Sequence, residues 1–343
     1  MAKDQKPTDE QLLELYQAAS AFKKAEPWKG LSDSDLIGVE NPEDKTIGYC
    51  SVMGRIGQHY ALGVYLGEKG LAGFFELLEK AAGTPYHQAL HYQDCLMCSF
   101  EDREQLDKAD RAQIKALGLS FRGRNAWPMF RRYEPGYLPW FINQAECIFL
   151  THALRQTLIA AEEINEEKWD IDFEQGETIL RRSREKNGEL QWYSEKIQVN
   201  FPKVTYSPVK IKDDLLLLRI KKAKRMGYGP LEADFCYLPF PIREHKDERP
   251  FFPRIFMLAE KRSGLIVDFE TYQGAEEDAN VVLTKLTGIF LEKGVPGEIQ
   301  VRSEKMAAIL EDLCQRANIK LTLVKTLSGI DQVLEEMIKD LQE

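Results

Sequence analysis

The sequence predicts an α+β protein made of two mixed α/β domains, each a hairpin-containing sheet with helices packed across it. Three observations carry this prediction. The chain has 343 residues, about two domains of ordinary size. Stretches with apolar residues at helical spacing alternate with short apolar or alternating runs bounded by Gly, Asn and Pro. The order hairpin, helix, strand, helix, strand, helix also occurs twice. That repetition raises a tandem duplication, with chance similarity of alternating helices and strands as the alternative. The expected division is residues 1–168 and 169–343.

In the first half, residues 9–25 set Leu12, Leu15, Tyr16, Ala19 and Phe22 at helical spacing, with Thr8 as N-cap. Pro27 and Trp28 break that helix. From Leu36 the period shortens into strands, with Gly54 and Gly57 as a hairpin turn. Residues 70–82 read as a helix, 94–100 as a strand and 102–117 as a charged helix ended by Gly118. A Pro- and aromatic-rich segment runs to Phe141, and Asn143 caps a long helix over 144–164. In the second half, Asn187-Gly188 marks a hairpin between 178–184 and 189–199. Leu215–Ile220 and 231–240 read as strands, and 254–260 and 265–271 as a hairpin about Ser263-Gly264. Helix 279–293, strand 298–302, helix 304–317, strand 319–325 and helix 328–341 complete the chain.

Composition narrows the classes. Lys+Arg 46 against Asp+Glu 55 gives a net charge of −9, which disfavours a whole-chain grip on nucleic acid or an anionic membrane. Mean hydropathy is −0.40, and no run approaches the ~20 apolar residues of a membrane helix. Six cysteines are too sparse for a disulfide scaffold, and the polar N-terminus lacks the features of a signal peptide. The expected location is cytoplasmic, with no membrane partner and no cofactor.

The runs 48-GYCSVMGRIGQHYALGVYLGEKGL-71, 93-QDCLMCSFEDREQL-106 and 121-FRGRNAWPMFRRYEPGYLPW-140 resemble an uncharacterised family of bacterial proteins. The pieces 231-LEADFCYLPFPI-242 and 250-PFFPRIFMLAEKRSGLI-266 are similar to its second module. The resemblance spans nearly the whole chain and implies two adjacent domains of unknown function. It implies no activity and no catalytic residues.

Three sets of residues are candidate sites. His87, His91, Cys95 and Cys98 have ligand-type chemistry for zinc. One helix face cannot wrap a tetrahedral ion, and on a strand Cys95 and Cys98 point to opposite faces. Buried, reduced core cysteines are the alternative. The segment 121–141 carries Arg122, Arg124, Arg131 and Arg132 among Trp127, Tyr137 and other aromatics, stiffened by three prolines. Arginine beside aromatic faces stacks bases and clamps phosphates or carboxylates. Its alternative is structural, with the arginines paired to the acidic helix at 101–110. The third set is Asp268 and Glu270, two residues apart on one strand face, with Glu304 the nearest substitute for an acid at the end of the strand 298–302. The C-terminal element order is similar to that of ribonuclease-H-like nucleases, which use acids to hold two metal ions. Arg302 stands where such a pattern expects an acid, so an active site there is degenerate. There is no phosphate loop, nucleophile elbow or His-Glu-x-x-His.

The expected role is a non-catalytic binding or adaptor protein using the Arg/aromatic surface, its partner a protein, an anionic ligand or nucleic acid. The alternative is a metal-dependent nuclease or hydrolase in the second domain.

Overall fold

The computed structural model describes residues 5–80, 86–200, 202, 204–227, 229–245 and 248–340, with the side chains at 86, 87, 338 and 340 outside that description. Residues 81, 82 and 341, at the ends of two expected helices, also lie outside the described residues. The chain divides into two compact units, Met1–Lys203 and Val204–Glu343.

In the first unit, helix α1 (Asp9–Ala25) begins at a reciprocal cap. Gln11 N–H donates to the Thr8 hydroxyl at 3.3 Å, and Thr8 N–H donates to Gln11 Oε1 at 2.9 Å. Its predicted stripe is buried, and Pro27 opens the short turn that ends it. Strands β1 (Ile37–Glu40), β2 (Ile47–Met53) and β3 (Tyr60–Leu66) follow, then helices α2 (Gly67–Lys80) and α3 (Tyr86–Ala89). Strand β4 (Cys95–Glu101), helix α4 (Lys108–Ala116) and strand β5 (Trp127–Tyr133) come next, and β1 to β5 pair as an antiparallel meander. Helix α5 (Gln144–Asn165) starts at Asn143, whose side chain accepts from Glu146 N–H at 2.9 Å. The hairpin β6 (Glu177–Lys186) and β7 (Glu189–Gln198) turns at Asn187 and Gly188, with φ of 56° and 76°. Two positive φ values suit the tight hairpin turn that matches strand twist.

The sheet order is β5-β4-β3-β2-β1-β6-β7. Helices α1 and α5 cover one face, burying Leu15, Phe22, Leu150 and Leu154, while α2 partly covers the other. β6 corrects the expected boundary at 168. It pairs in parallel with β1, Gly38 opposite Leu180, and the Thr178 hydroxyl donates to Leu36 O. The Glu40 carboxylate adds bonds from Ser183 and Arg182. The hairpin therefore belongs to the first sheet, and the division falls after residue 203.

The second unit opens with helix α6 (Asp214–Lys222), where a strand over 215–220 was expected. Asp213 accepts from Leu216 N–H at 2.9 Å, a cap that starts a helix. The leucine run then splits by helical period: Leu217 and Ile220 are buried, whereas Leu215 is 74% exposed. Strands β8 (Leu231–Tyr237), β9 (Arg254–Glu260) and β10 (Ile266–Tyr272) form a meander. Helix α7 (Asp278–Glu292), strand β11 (Glu298–Val301), helix α8 (Glu304–Ala317), strand β12 (Lys320–Leu323) and helix α9 (Ser328–Asp340) follow. The sheet order is β10-β9-β8-β11-β12, with β11 parallel to both neighbours. α6, α7 and α8 pack on one face and α9 on the other. The two units share an order of elements along the chain but not in their sheets: after its hairpin, the first unit adds β4 antiparallel beside β3, and the second adds β11 parallel beside β8. Among the described residues, no helix is long and apolar enough to cross a membrane.

Candidate functional site

The face of the first sheet opposite α1 and α5 is only partly covered, and strand register decides what it presents. Ser51, Gly63 and Met97 lie in one cross-strand row, and Met53, Ala61, Ser99 and Met129 in the next. Tyr65, Cys95 and Tyr133 form a third. Gly63 keeps the floor low. A Cβ there would stand 3.2 Å from Met53 Cε and 3.5 Å from Met97 Cε, so glycine leaves room for both thioethers over β3.

One wall is α2, which lies hard against the backbone before β4. At Gly73 a Cβ would meet Tyr92 O at 1.9 Å, and at Gly70 it would meet Asp94 O at 2.7 Å. Only glycine permits that approach, and it brings Phe74 edge-on to Tyr65 at 4.8 Å, with Leu77 and Leu78 beside it. The result is a cleft of about 600 Å³, its floor and wall built from Met53, Met97, Met129, Tyr65, Tyr133 and Phe74. Asp33, His59, Gln93, Glu101 and Gln105 form its polar edge. Sequence reasoning missed this cleft. Its one local signal was a glycine inside a strand, since the three methionines meet only through register.

The Arg/aromatic segment adjoins the cleft through β5, and it splits into two parts. Arg131 is buried and clamps Asp110 of α4 with bonds of 2.9 and 2.6 Å, reaching Asp107 at 3.0 Å. Arg132 pairs with Asp94 at 2.5 Å and Glu146 at 3.3 Å, and donates to Tyr133 O. These two guanidiniums are held inside the unit, Arg131 by the acidic segment at 101–110 and Arg132 by carboxylates outside it. Arg122 and Arg124 are exposed and make no ion pair among the described residues. With Phe121, Trp127, Arg103 and Asp102 they line a shallow cup of about 380 Å³. Trp127 sits opposite Glu101 in register, so cup and cleft meet at that end of the sheet. Tyr137 is half-buried outside both, its N–H donating to Glu134 O at 3.0 Å.

The His/Cys set does not converge. Cys95 packs in the core under the cleft face, and Cys98 in the core under α1 and α5. Burial pushes the Cys95 thiol up to about 12 and the Cys98 thiol higher still. His91 Nδ1 accepts from Gly136 N–H at 3.4 Å, and the side chain of His87 lies outside the described residues. Among the described residues, no group of three or more His, Cys, Asp or Glu is placed to hold a metal ion.

In the second unit, Asp268 and Glu270 share a face as expected, and the Lys285 ammonium closes both at 3.2 and 2.9 Å. Glu304 is exposed in the first turn of α8. Arg302 meets carboxylates that the sequence did not single out. Its Nε lies 2.5 Å from Asp234 of β8 and its second branch 2.6 Å from Asp331 of α9. Burial pushes the Asp234 carboxyl up, against the pull of Arg302. Beside Asp234, the fully buried Glu232 accepts from Gly329 and Ile330 N–H at 2.8 and 3.2 Å, capping α9.

No curated protein matches the chain. One chain of a cryo-EM structure of a simian T-cell lymphotropic virus intasome, in complex with PP2A regulatory subunit B56 gamma, is similar at 13% identity. The match covers 32% of this chain and 39% of that one with a TM-score of 0.25, too low to carry an argument. Family models match residues 13–181 as DUF7309 and residues 216–338 as DUF6930. The chain is thus built of two adjacent domains of unknown function, DUF7309 followed by DUF6930.

Proposed function

We propose that the chain is a non-catalytic binding protein whose contact region is the β4–β5 end of the first sheet. The cleft carries this reading. Its volume of about 600 Å³ falls within the range of small-molecule sites, and its lining is mostly apolar with a few polar groups at the edge. Methionine side chains suit such a surface because they are flexible and polarisable, and aromatic ones because they supply large apolar area with a defined geometry. The adjoining cup adds Arg122, Arg124 and Trp127 as charge and stacking area for the part of a partner that extends beyond the cleft. Arg131 and Arg132 position β5, and so act on the contact region without being spent on a partner.

The test is a titration with N-phenyl-1-naphthylamine, a neutral dye that brightens in apolar surroundings. The wild-type chain gives saturable binding at one site. Leu78→Glu, at a cleft residue 45% exposed and therefore tolerant of charge, weakens it at least tenfold with unchanged far-UV circular dichroism. Unsaturable binding, or equal binding by the variant, overturns the reading.

A further inference from the structure

We infer that the cleft selects a small organic cation with an apolar or aromatic body, an inference that rests on the cleft being the binding site. The acidic and basic side chains that line it are of one sign, with the imidazole of His59 at its edge. Asp33 and Glu101 stand at its edge, and among the described residues neither Lys nor Arg lines it. Neither acid has an ion-pair partner among the described residues. Of the nearby arginines, Arg131 and Arg132 are already held by Asp110, Asp107, Asp94 and Glu146, and Arg103, Arg122 and Arg124 line the adjoining cup and not the cleft.

An anion held within the cleft therefore meets two carboxylates without an ion-pair partner and no Lys or Arg in the lining among the described residues, in a chain of net charge −9. A cation gains both carboxylates. It also meets a lining that includes the rings of Tyr65, Phe74 and Tyr133, whose π-electrons attract positive charge. The thioethers of Met53, Met97 and Met129 are polarisable and mould to a flat or branched body. The cleft volume suits one such molecule and not a folded partner. Charge complementarity and an aromatic, sulfur-rich floor thus point to the same ligand class.

The test compares three probes on the full chain: neutral N-phenyl-1-naphthylamine, the planar aromatic cation berberine, and the aromatic sulfonate 8-anilinonaphthalene-1-sulfonate. Berberine is expected to displace the neutral dye at a concentration at least tenfold below that of the sulfonate. Asp33→Asn combined with Glu101→Gln is expected to weaken berberine about five- to tenfold, the scale of two exposed charge pairs, and to leave the neutral dye within about twofold. Salt at 0.5 M weakens berberine and spares the neutral dye. Equal displacement by the sulfonate, or berberine binding indifferent to the double variant, overturns the inference while the site itself stands. Failure of the neutral dye to bind overturns the site, and this inference with it.

Discussion

Replacing Arg131 with Met separates the arginines that hold the first sheet together from those that face solvent. The Arg131 guanidinium is bidentate to Asp110, whose side chain is only 6% exposed, and lies 4.5 Å from the Phe141 ring. Removing the cation leaves a buried carboxylate with no compensating charge. Breaking one side of such a pair costs about 3–5 kcal/mol, a large part of the roughly 5–15 kcal/mol that holds a domain folded. Arg122→Met and Arg124→Met, at exposed unpaired positions, should each stay within about 0.5 kcal/mol of wild type. The assay is urea unfolding followed by tryptophan emission. All five tryptophans, Trp28, Trp127, Trp140, Trp169 and Trp192, lie in the first unit, so the signal ignores the second. For a slope of about 2 kcal/mol/M, Arg131→Met lowers the midpoint by about 1.5–2.5 M. Arg131→Met with Asp110→Leu should recover much of the loss, because replacing both partners removes the stranded charge. A loss below about 1 kcal/mol for Arg131→Met, or an equal loss for Arg122→Met, refutes the division.

Two further predictions concern the second unit. Asp234 already has its folded pKa raised, so its folded state holds the proton more tightly and stability falls as pH rises from the unfolded value, about 3.9, through the folded one. Arg302→Ala removes the cation that opposes this, raises the folded pKa further, and should steepen the fall in calorimetric melting temperature between pH 5 and pH 8. Curves that stay parallel to wild type would count against Arg302 as the counter-ion of Asp234. Glu232→Ala strips the cap from α9 and should cost about 1–3 kcal/mol, with faster amide hydrogen exchange at Gly329 and Ile330 than at α8. Unchanged exchange at those two amides would show that the cap holds nothing.

Local chemistry was legible and distant pairing was not. The caps at Thr8 and Asn143 and the Asn187-Gly188 turn are decided within three or four residues, and each stands where the sequence puts it. β5 was hidden because Pro128 argues against a strand; the proline is tolerated since β5 is the edge of the sheet. The leucine run of α6 has no period of its own, and Asp213 is the residue that decides it. The four arginines looked alike in sequence because their partners, such as Asp94 and Asp110, come from other elements. The cleft needs three strands in register and a helix pressed onto a turn, and no local pattern encodes that.

The parallel pairing of β1 with β6 also sets an order of events during synthesis. β1 finds β2 within about ten residues, yet its other flank waits for a strand about 142 residues further on. At about 5–20 residues per second, that flank stays unpaired for about 7–28 s. Through that interval the nascent chain carries an apolar, fully buried-type strand, Ile37–Glu40, as an open edge on which a second chain can dock. The β6–β7 hairpin, with Arg184 and Lys186 exposed beside its turn, is therefore the late-arriving guard of the sheet as well as part of it.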